Sequence, residues 1–149
     1  MTRRSQKYKM ADPYNLQRFV TAQDPVYAHV CAELRAGQKK THWMWFIFPQ
    51  LKGLGHSELA QHFGIASLDE ARGYLQHKIL GERLRECTAL VVALTNRHME
   101  EIFGYPDHLK FRSSMTLFSQ ASTANEIFIQ AIQKYFQGEF DAQTLALLK

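Results

Sequence analysis

The segment from His42 to Gln50 is the part of this sequence in which side-chain chemistry is most concentrated, because it contains both tryptophans of the chain. On a helix, Trp43 and Ile47 share one face, whereas Trp45 and Phe46 cover other faces. A surface helix that buries a single stripe cannot cover all of these side chains. The segment is therefore either a helix through the core or the aromatic wall of a pocket.

The two interpretations give its polar groups different roles. In a core helix, the indole N–H groups bond to backbone carbonyls. In a pocket, Trp43 or Trp45 stacks on a planar ligand such as a base or a nicotinamide ring. His42 is then the candidate catalytic residue, as a general acid or base, and Gln50 orients the ligand through hydrogen bonds.

A second segment, Tyr105–Met115, combines cations with hydroxyl groups. Lys110 and Arg112 flank an apolar Phe111, and Ser113 and Ser114 follow. Guanidinium groups bind two oxygens of a phosphate or carboxylate, and a serine hydroxyl adds a further donor. The segment is either an anion-binding turn or a solvated cationic face whose serines bond to carbonyls.

A functional site results if these two segments border one cavity. Such a site would bind a nucleotide-like or phosphorylated small molecule, compounds related to ADP-ribose included, with Lys110, Arg112, Ser113 and Arg18 holding the anion. No cofactor is implied. The alternative is a non-enzymatic protein-interaction module, in which exposed aromatic side chains form the binding patch.

Several common signatures are absent from the sequence. It contains no phosphate-binding glycine loop, dinucleotide fingerprint, zinc-protease helix or nucleophile elbow. His56 and His62 do not share a helical face, and no cluster of Cys or carboxylate residues completes a metal site. No metal is predicted. The two cysteines, Cys31 and Cys87, lie in apolar helical patterns and are predicted to be core residues.

Charge and length bound the remaining possibilities. The chain has 149 residues, of which 46% are hydrophobic and 21% charged, values typical of one globular domain. The net charge of +4 comes from a stretch before the first acidic residue, Asp12. Residues 1–11 are therefore predicted to be a basic flexible tail with weak nucleic-acid contacts at most, and residues 12–149 a single helical domain. With no membrane-length apolar run and no signal peptide, the expected location is cytoplasmic.

Helix signals recur along the whole chain. Asp12-Pro13 and Asp24-Pro25 predict two helix starts, Ser57 predicts another, and Ser67 with Glu70 forms a capping box. Further helices are predicted at Ile79–Leu94, at Met99–Phe103, from Pro106 to Phe118, from Ile127 to Phe136 and after Asp141. No strand pattern is found. The prediction is an all-α, compact single domain of many short helices around one central helix, Ile79–Leu94, whose second half lies centrally.

Four stretches carry a resemblance to a known family, and they are Tyr14–Phe19, His42–Gln50 with Gly53-Leu54-Gly55, Leu75–Leu84, and Lys110–Phe118. They resemble the bacterial family numbered 1810 among domains of unknown function, over about Asp12 to Leu148. The family often has Asp in place of Asn15 and Leu in place of Phe111. The resemblance implies a compact, mostly helical fold without an established activity, although members are sometimes labelled calpastatin.

The aromatic segment and the later helix are also similar to helical hydrolases that cleave N-glycosidic bonds of ADP-ribose and of riboflavin intermediates. That chemistry favours a carboxylate that stabilises an oxocarbenium-like transition state. This sequence has no acidic residue beside the aromatic segment.

Overall fold

Ten α-helices make up the regular structure of the computed structural model, which describes residues 11–149. None of these helices is long and apolar enough to cross a membrane. Of the predicted basic tail, all but Ala11 lies outside the described residues. The helices are α1 (Gln17–Gln23), α2 (Tyr27–Ala36), α3 (Met44–Ile47), α4 (Glu58–Phe63), α5 (Leu68–Gln76), α6 (Lys78–Ala93), α7 (Met99–Phe103), α8 (Asp107–Ala121), α9 (Glu126–Phe136) and α10 (Ala142–Leu147).

The predicted all-α class with many short helices is confirmed, and side-chain caps account for several of the helix starts. Ser57 Oγ accepts the N–H of Ala60 at the start of α4. Asp141 Oδ2 accepts the N–H of Thr144 at the start of α10, and Ser67 caps α5 in the same way. These caps satisfy N–H groups that have no partner within the helix.

The structure corrects the helix starts predicted directly after Asp12 and Asp24. The Asp12 carboxylate accepts the N–H groups of Leu16 and Gln17, so it closes a turn and α1 begins only at Gln17. Asp24 has helical dihedral angles at the end of α1, and α2 begins at Tyr27. The two Asp-Pro pairs therefore mark turns that lead into helices.

The predicted central helix, Ile79–Leu94, shares the centre of the molecule with α8. Helix α6, which corresponds to that prediction, does bury Leu84 and Val91. Helix α8 packs against α5, α7, α9 and α10, and α6 packs against α1, α2, α5 and α9. Its middle and second half, from Ser113 to Ser119, are continuously buried.

The hydroxyl groups of α8 explain how a polar sequence occupies the core. Ser113 Oγ donates to the carbonyl of Leu109, and Thr116 Oγ1 donates to that of Arg112. Such bonds to the preceding turn satisfy buried hydroxyls and leave small side chains at the packing surface. Among the buried side-chain oxygens and nitrogens of residues 11–149, Ser114 Oγ alone has no hydrogen-bond partner.

An aromatic cluster joins the His42–Gln50 segment to α8. The rings of Phe48 and Phe111 meet edge to face with centroids 4.9 Å apart, and Phe103 stacks on Phe111 at 4.8 Å. Trp43 contacts Phe103 at 6.5 Å. Edge-to-face and stacked pairs of this kind each contribute about 0.5–1.5 kcal/mol beyond the area they bury. This packing brings the two chemically distinctive segments of the sequence together.

The two cysteines are buried free thiols, as their apolar surroundings predict. Burial raises the pKa of the Cys87 thiol, which disfavours the reactive thiolate. Within the part of the chain that the structure describes, no three His, Cys, Asp or Glu residues are grouped so that they could hold a metal ion.

Candidate functional site

A narrow aromatic slot lies between α3, α4 and the start of α8. Its apolar walls come from Met44, Trp45, Phe48 and Phe63, and the space between them is about 10 Å³, room for about one water molecule. Gln50 and Lys110 are its polar residues. Lys110 Nζ lies 5.2 Å from the centroid of the Trp45 ring, within the range of a cation–π interaction.

An outer cleft of about 270 Å³ adjoins the aromatic slot, and the two share Gln50 and Lys110. The outer cleft is more polar than the slot. Its polar lining consists of Gln50, Lys110, Arg112, Ser113, Asp141 and Gln143. Together the slot and the outer cleft form a site with an apolar inner end and a hydrogen-bonding outer end, the general pattern of small-molecule sites.

A short backbone pairing positions Gln50. The N–H of Ile65 donates to the carbonyl of Gln50 at 3.0 Å, and the N–H of Lys52 donates to the carbonyl of Ile65 at 2.7 Å. Gly64 permits this approach, because a Cβ at this position would lie 2.9 Å from Ala60 O and from Lys52 Cα. The absence of a side chain at Gly64 therefore lets the end of α4, which lines the slot, pack closely against the chain that carries Gln50.

Glu33 holds the chain that leads into the aromatic segment. Its Oε1 accepts the N–H groups of Lys40 and Thr41 and the indole N–H of Trp43, and its Oε2 accepts the Thr41 hydroxyl. Partial burial raises the pKa of Glu33, but these hydrogen bonds to the charged form outweigh that effect and lower the pKa to about 2. Ionised Glu33 therefore stabilises the fold.

We expect Glu33→Gln to lower the free energy of unfolding by about 1–2 kcal/mol at neutral pH, after allowance for solvent screening. The pKa of Glu33 falls from 4.5 to about 2 on folding. The contribution of the ionised group is therefore complete above about pH 4.5 and is lost as the pH falls towards 2. Urea unfolding at pH 7 and pH 3 measures the difference, with the exposed Glu82→Gln as the matched control. A difference between wild type and Glu33→Gln that did not shrink at pH 3 would contradict this role.

The charges around Lys110 leave it available to a ligand. Asp107 Oδ2 lies 2.9 Å from the Nζ of Lys39, whereas Asp107 Oδ1 lies 3.5 Å from the Nζ of Lys110. The Lys39 side chain is 8% exposed and that of Lys110 28%. Because the buried Lys39 already neutralises Asp107, Lys110 can turn towards an anion without leaving Asp107 unpaired.

Helix α8 also fixes the chain that carries Asp141. Arg112 Nε donates to the carbonyl of Glu139 at 2.9 Å, and its Nη2 donates to that of Phe140 at 3.3 Å. The N–H of Asp141 donates to Thr116 Oγ1 at 2.9 Å. The sequence predicts only that a helix follows Asp141, because nothing in the sequence shows that this residue folds back onto α8.

The structure brings together five of the residues predicted for the site. Trp45, Gln50 and Lys110 line the aromatic slot, and Gln50, Lys110, Arg112 and Ser113 line the outer cleft. Arg112 and Ser113 are already engaged with protein carbonyls. Lys110 is therefore the cation of the site that is best able to meet an anionic ligand.

Three other predicted residues lie elsewhere. Trp43 is 1% exposed and packs in the core, with its indole N–H bonded to Glu33 instead of a backbone carbonyl. His42 is exposed and lines neither the slot nor the outer cleft. Arg18 donates to Glu70 Oε2 at 2.7 Å and to the carbonyls of His62 and Gly64, so its guanidinium is occupied by the protein.

The fold places the chain in the class of small all-α proteins built from short helices. The chain belongs to the family described as protein of unknown function (DUF1810), whose model matches residues 13–148. The resemblance found in the sequence is thereby confirmed.

A solved structure agrees with this assignment. The chain is similar to the conserved hypothetical protein Rv1873 from Mycobacterium tuberculosis, with 58% sequence identity and a TM-score of 0.91. The similarity covers 92% of this chain and 98% of the mycobacterial one. No curated protein matches the chain significantly.

Proposed function

We propose that the protein binds a nucleotide-like or phosphorylated small molecule in the aromatic slot and the outer cleft. The observation that carries the proposal is the position of Lys110, which lies over Trp45 at the boundary shared by the two clefts. The slot must widen to admit a planar ring, and a ring against Trp45 would then place an attached anionic group beside the Lys110 ammonium. Binding is proposed rather than hydrolysis, because His42, the predicted general acid or base, lines neither cleft.

The expected contributions to binding are large enough to measure. Stacking of a base on an aromatic side chain contributes about 1–3 kcal/mol. A hydrogen bond from an ammonium to an anion contributes about 1.5–3 kcal/mol, and the apolar walls of the slot strengthen it by excluding water. These contributions favour ligands that combine a flat ring with a phosphate over ligands that offer only one of the two.

AMP and ADP-ribose at millimolar concentrations are therefore expected to raise the melting temperature, because they bind the folded state alone. Trp45→Leu keeps the slot apolar but removes the stacking surface, so it should lose most of the shift. Tyr14→Leu, which changes an aromatic side chain outside both clefts, is the matched control and should retain the shift. Wild-type protein whose melting temperature did not change with either nucleotide would refute the proposal.

The second candidate function is a protein-interaction module, and one surface feature favours it. Tyr105, in the turn that precedes α8, and Leu109, in the first turn of α8, are 81% and 44% exposed. Exposed aromatic and aliphatic side chains of this kind occur at protein–protein contacts. A negative nucleotide titration would favour this candidate, and Tyr105 would then be the first residue to substitute in a search for a partner.

A further inference from the structure

The outer cleft contains one carboxylate among side chains that typically bind hydroxyl groups. Asp141 lies there with the amides of Gln50 and Gln143. Amide and carboxylate groups are planar and present paired acceptors or donors, which suits the adjacent hydroxyls of a sugar. An acidic side chain in a cleft that also holds Lys110 and Arg112 selects against a ligand that is anionic throughout.

The hydrogen bonds of Asp141 leave one of its oxygens for a ligand. Both donors from Thr144, the backbone N–H at 3.0 Å and the hydroxyl at 2.6 Å, bind Oδ2. Oδ1 therefore remains the acceptor for other donors. The carboxylate is also held in place, because its own N–H is bonded to Thr116 on α8.

We infer that the outer cleft binds the hydroxyl-bearing sugar of the ligand and that Asp141 Oδ1 accepts a hydroxyl hydrogen from it. This inference rests on the proposed function and extends it by naming the ligand class: a ribosyl compound in which a planar ring, vicinal hydroxyls and a phosphate are combined. The ring occupies the aromatic slot, the phosphate lies beside Lys110, and the vicinal hydroxyls face Asp141. A hydroxyl bound by a carboxylate forms a charge-assisted hydrogen bond of about twice the usual strength. An analogue without the hydroxyl leaves the carboxylate desolvated and unpaired, and is rejected.

The test compares AMP with 2′,3′-dideoxy-AMP by isothermal titration calorimetry. Wild-type protein is expected to bind AMP at least about tenfold more tightly than the dideoxy analogue, which corresponds to about 1.4 kcal/mol. Asp141→Ser should reduce this preference to less than about threefold, because serine retains a cap but lacks the second carboxylate oxygen. Ser57 and Ser67 act as such caps elsewhere in this chain, each accepting an N–H at 3.1 Å.

Two controls keep the outcomes distinct. Asp69→Ser changes an exposed aspartate in α5 and should leave the preference unchanged. If Asp141→Ser is too unstable to titrate, Asp141→Asn replaces it, since asparagine caps helices as well as aspartate does. In Asp141→Asn the charge-assisted hydrogen bond becomes a neutral one. The difference in binding free energy between AMP and 2′,3′-dideoxy-AMP should therefore fall to about half of the wild-type difference.

The inference and the proposed function fail in different ways. Nucleotide binding with the same preference for AMP in wild type and in the Asp141 variants would overturn the role of Asp141 and leave the proposed function intact. Equal affinity of the wild-type protein for AMP and for its dideoxy analogue would also overturn the role of Asp141 and leave the proposed function intact. Wild-type protein that binds neither nucleotide would overturn both.

Discussion

Replacement of Arg18 by leucine is expected to lower the free energy of unfolding by about 3–5 kcal/mol, the usual cost of removing one partner from a buried ion pair. The side chains of Arg18 and Glu70 are 11% and 5% exposed, and Nη2 of Arg18 lies 2.7 Å from Oε2 of Glu70. The substitution leaves the Glu70 charge without its partner. It also removes the donors to the carbonyls of Tyr14, His62 and Gly64.

Urea unfolding at pH 7 measures this loss, and Arg72→Leu is the matched control. Arg72 pairs with Asp69 at 3.1 Å, but both side chains are about half exposed or more, so its removal should cost less than about 1 kcal/mol. The double variant Arg18→Leu with Glu70→Gln should recover part of the loss, because no buried charge remains unpaired. Equal losses for Arg18→Leu and Arg72→Leu would contradict the structural role of Arg18.

Lys110→Ala is expected to weaken AMP binding about 10- to 100-fold. The estimate corresponds to the loss of one hydrogen bond between charged groups in a partly desolvated site, about 1.5–3 kcal/mol. The unliganded protein should lose little stability, because Asp107 keeps its shorter ion pair with Lys39. The substitution therefore separates binding from folding.

Calorimetric titration of AMP into wild type, Lys110→Ala and Lys78→Ala measures the effect. Lys78 is exposed at the start of α6 and lines neither cleft, so Lys78→Ala controls for the loss of one positive charge. Lys110→Arg should retain most of the affinity. Equal affinities for AMP in Lys110→Ala and Lys78→Ala would show that Lys110 does not hold the anion.

Local signals in the sequence were sufficient to predict the helical fold. Side-chain caps and helical periodicity depend on interactions within a few residues, so the sequence predicts the start of α4 after Ser57 and the bounds of α7, Met99–Phe103, where the structure has them. The central position of α8 was harder to predict. The hydroxyls of α8 made it look polar, whereas bonds to preceding carbonyls such as Leu109 allow it to be buried.

The site could be predicted only in part, because its geometry depends on contacts between distant parts of the chain. Helical periodicity does not show whether Trp43 or Trp45 is buried. In the structure, Glu33 accepts a hydrogen bond from the indole N–H of Trp43, and Trp45 lines the slot. Likewise, arginine is a residue type that often binds anionic ligands, but the anion that Arg18 binds is the carboxylate of Glu70, which is far along the chain. Asp141 reaches the outer cleft only through the packing of the C-terminal segment on α8.

A crystal structure of the protein with AMP at saturating concentration tests the central claim most directly. We expect the adenine ring to lie against Trp45 between the walls of the slot, with a phosphate oxygen within hydrogen-bonding distance of Lys110 Nζ. An unchanged, closed slot in such a crystal, or AMP bound at a surface that includes neither Trp45 nor Lys110, would contradict the proposed site.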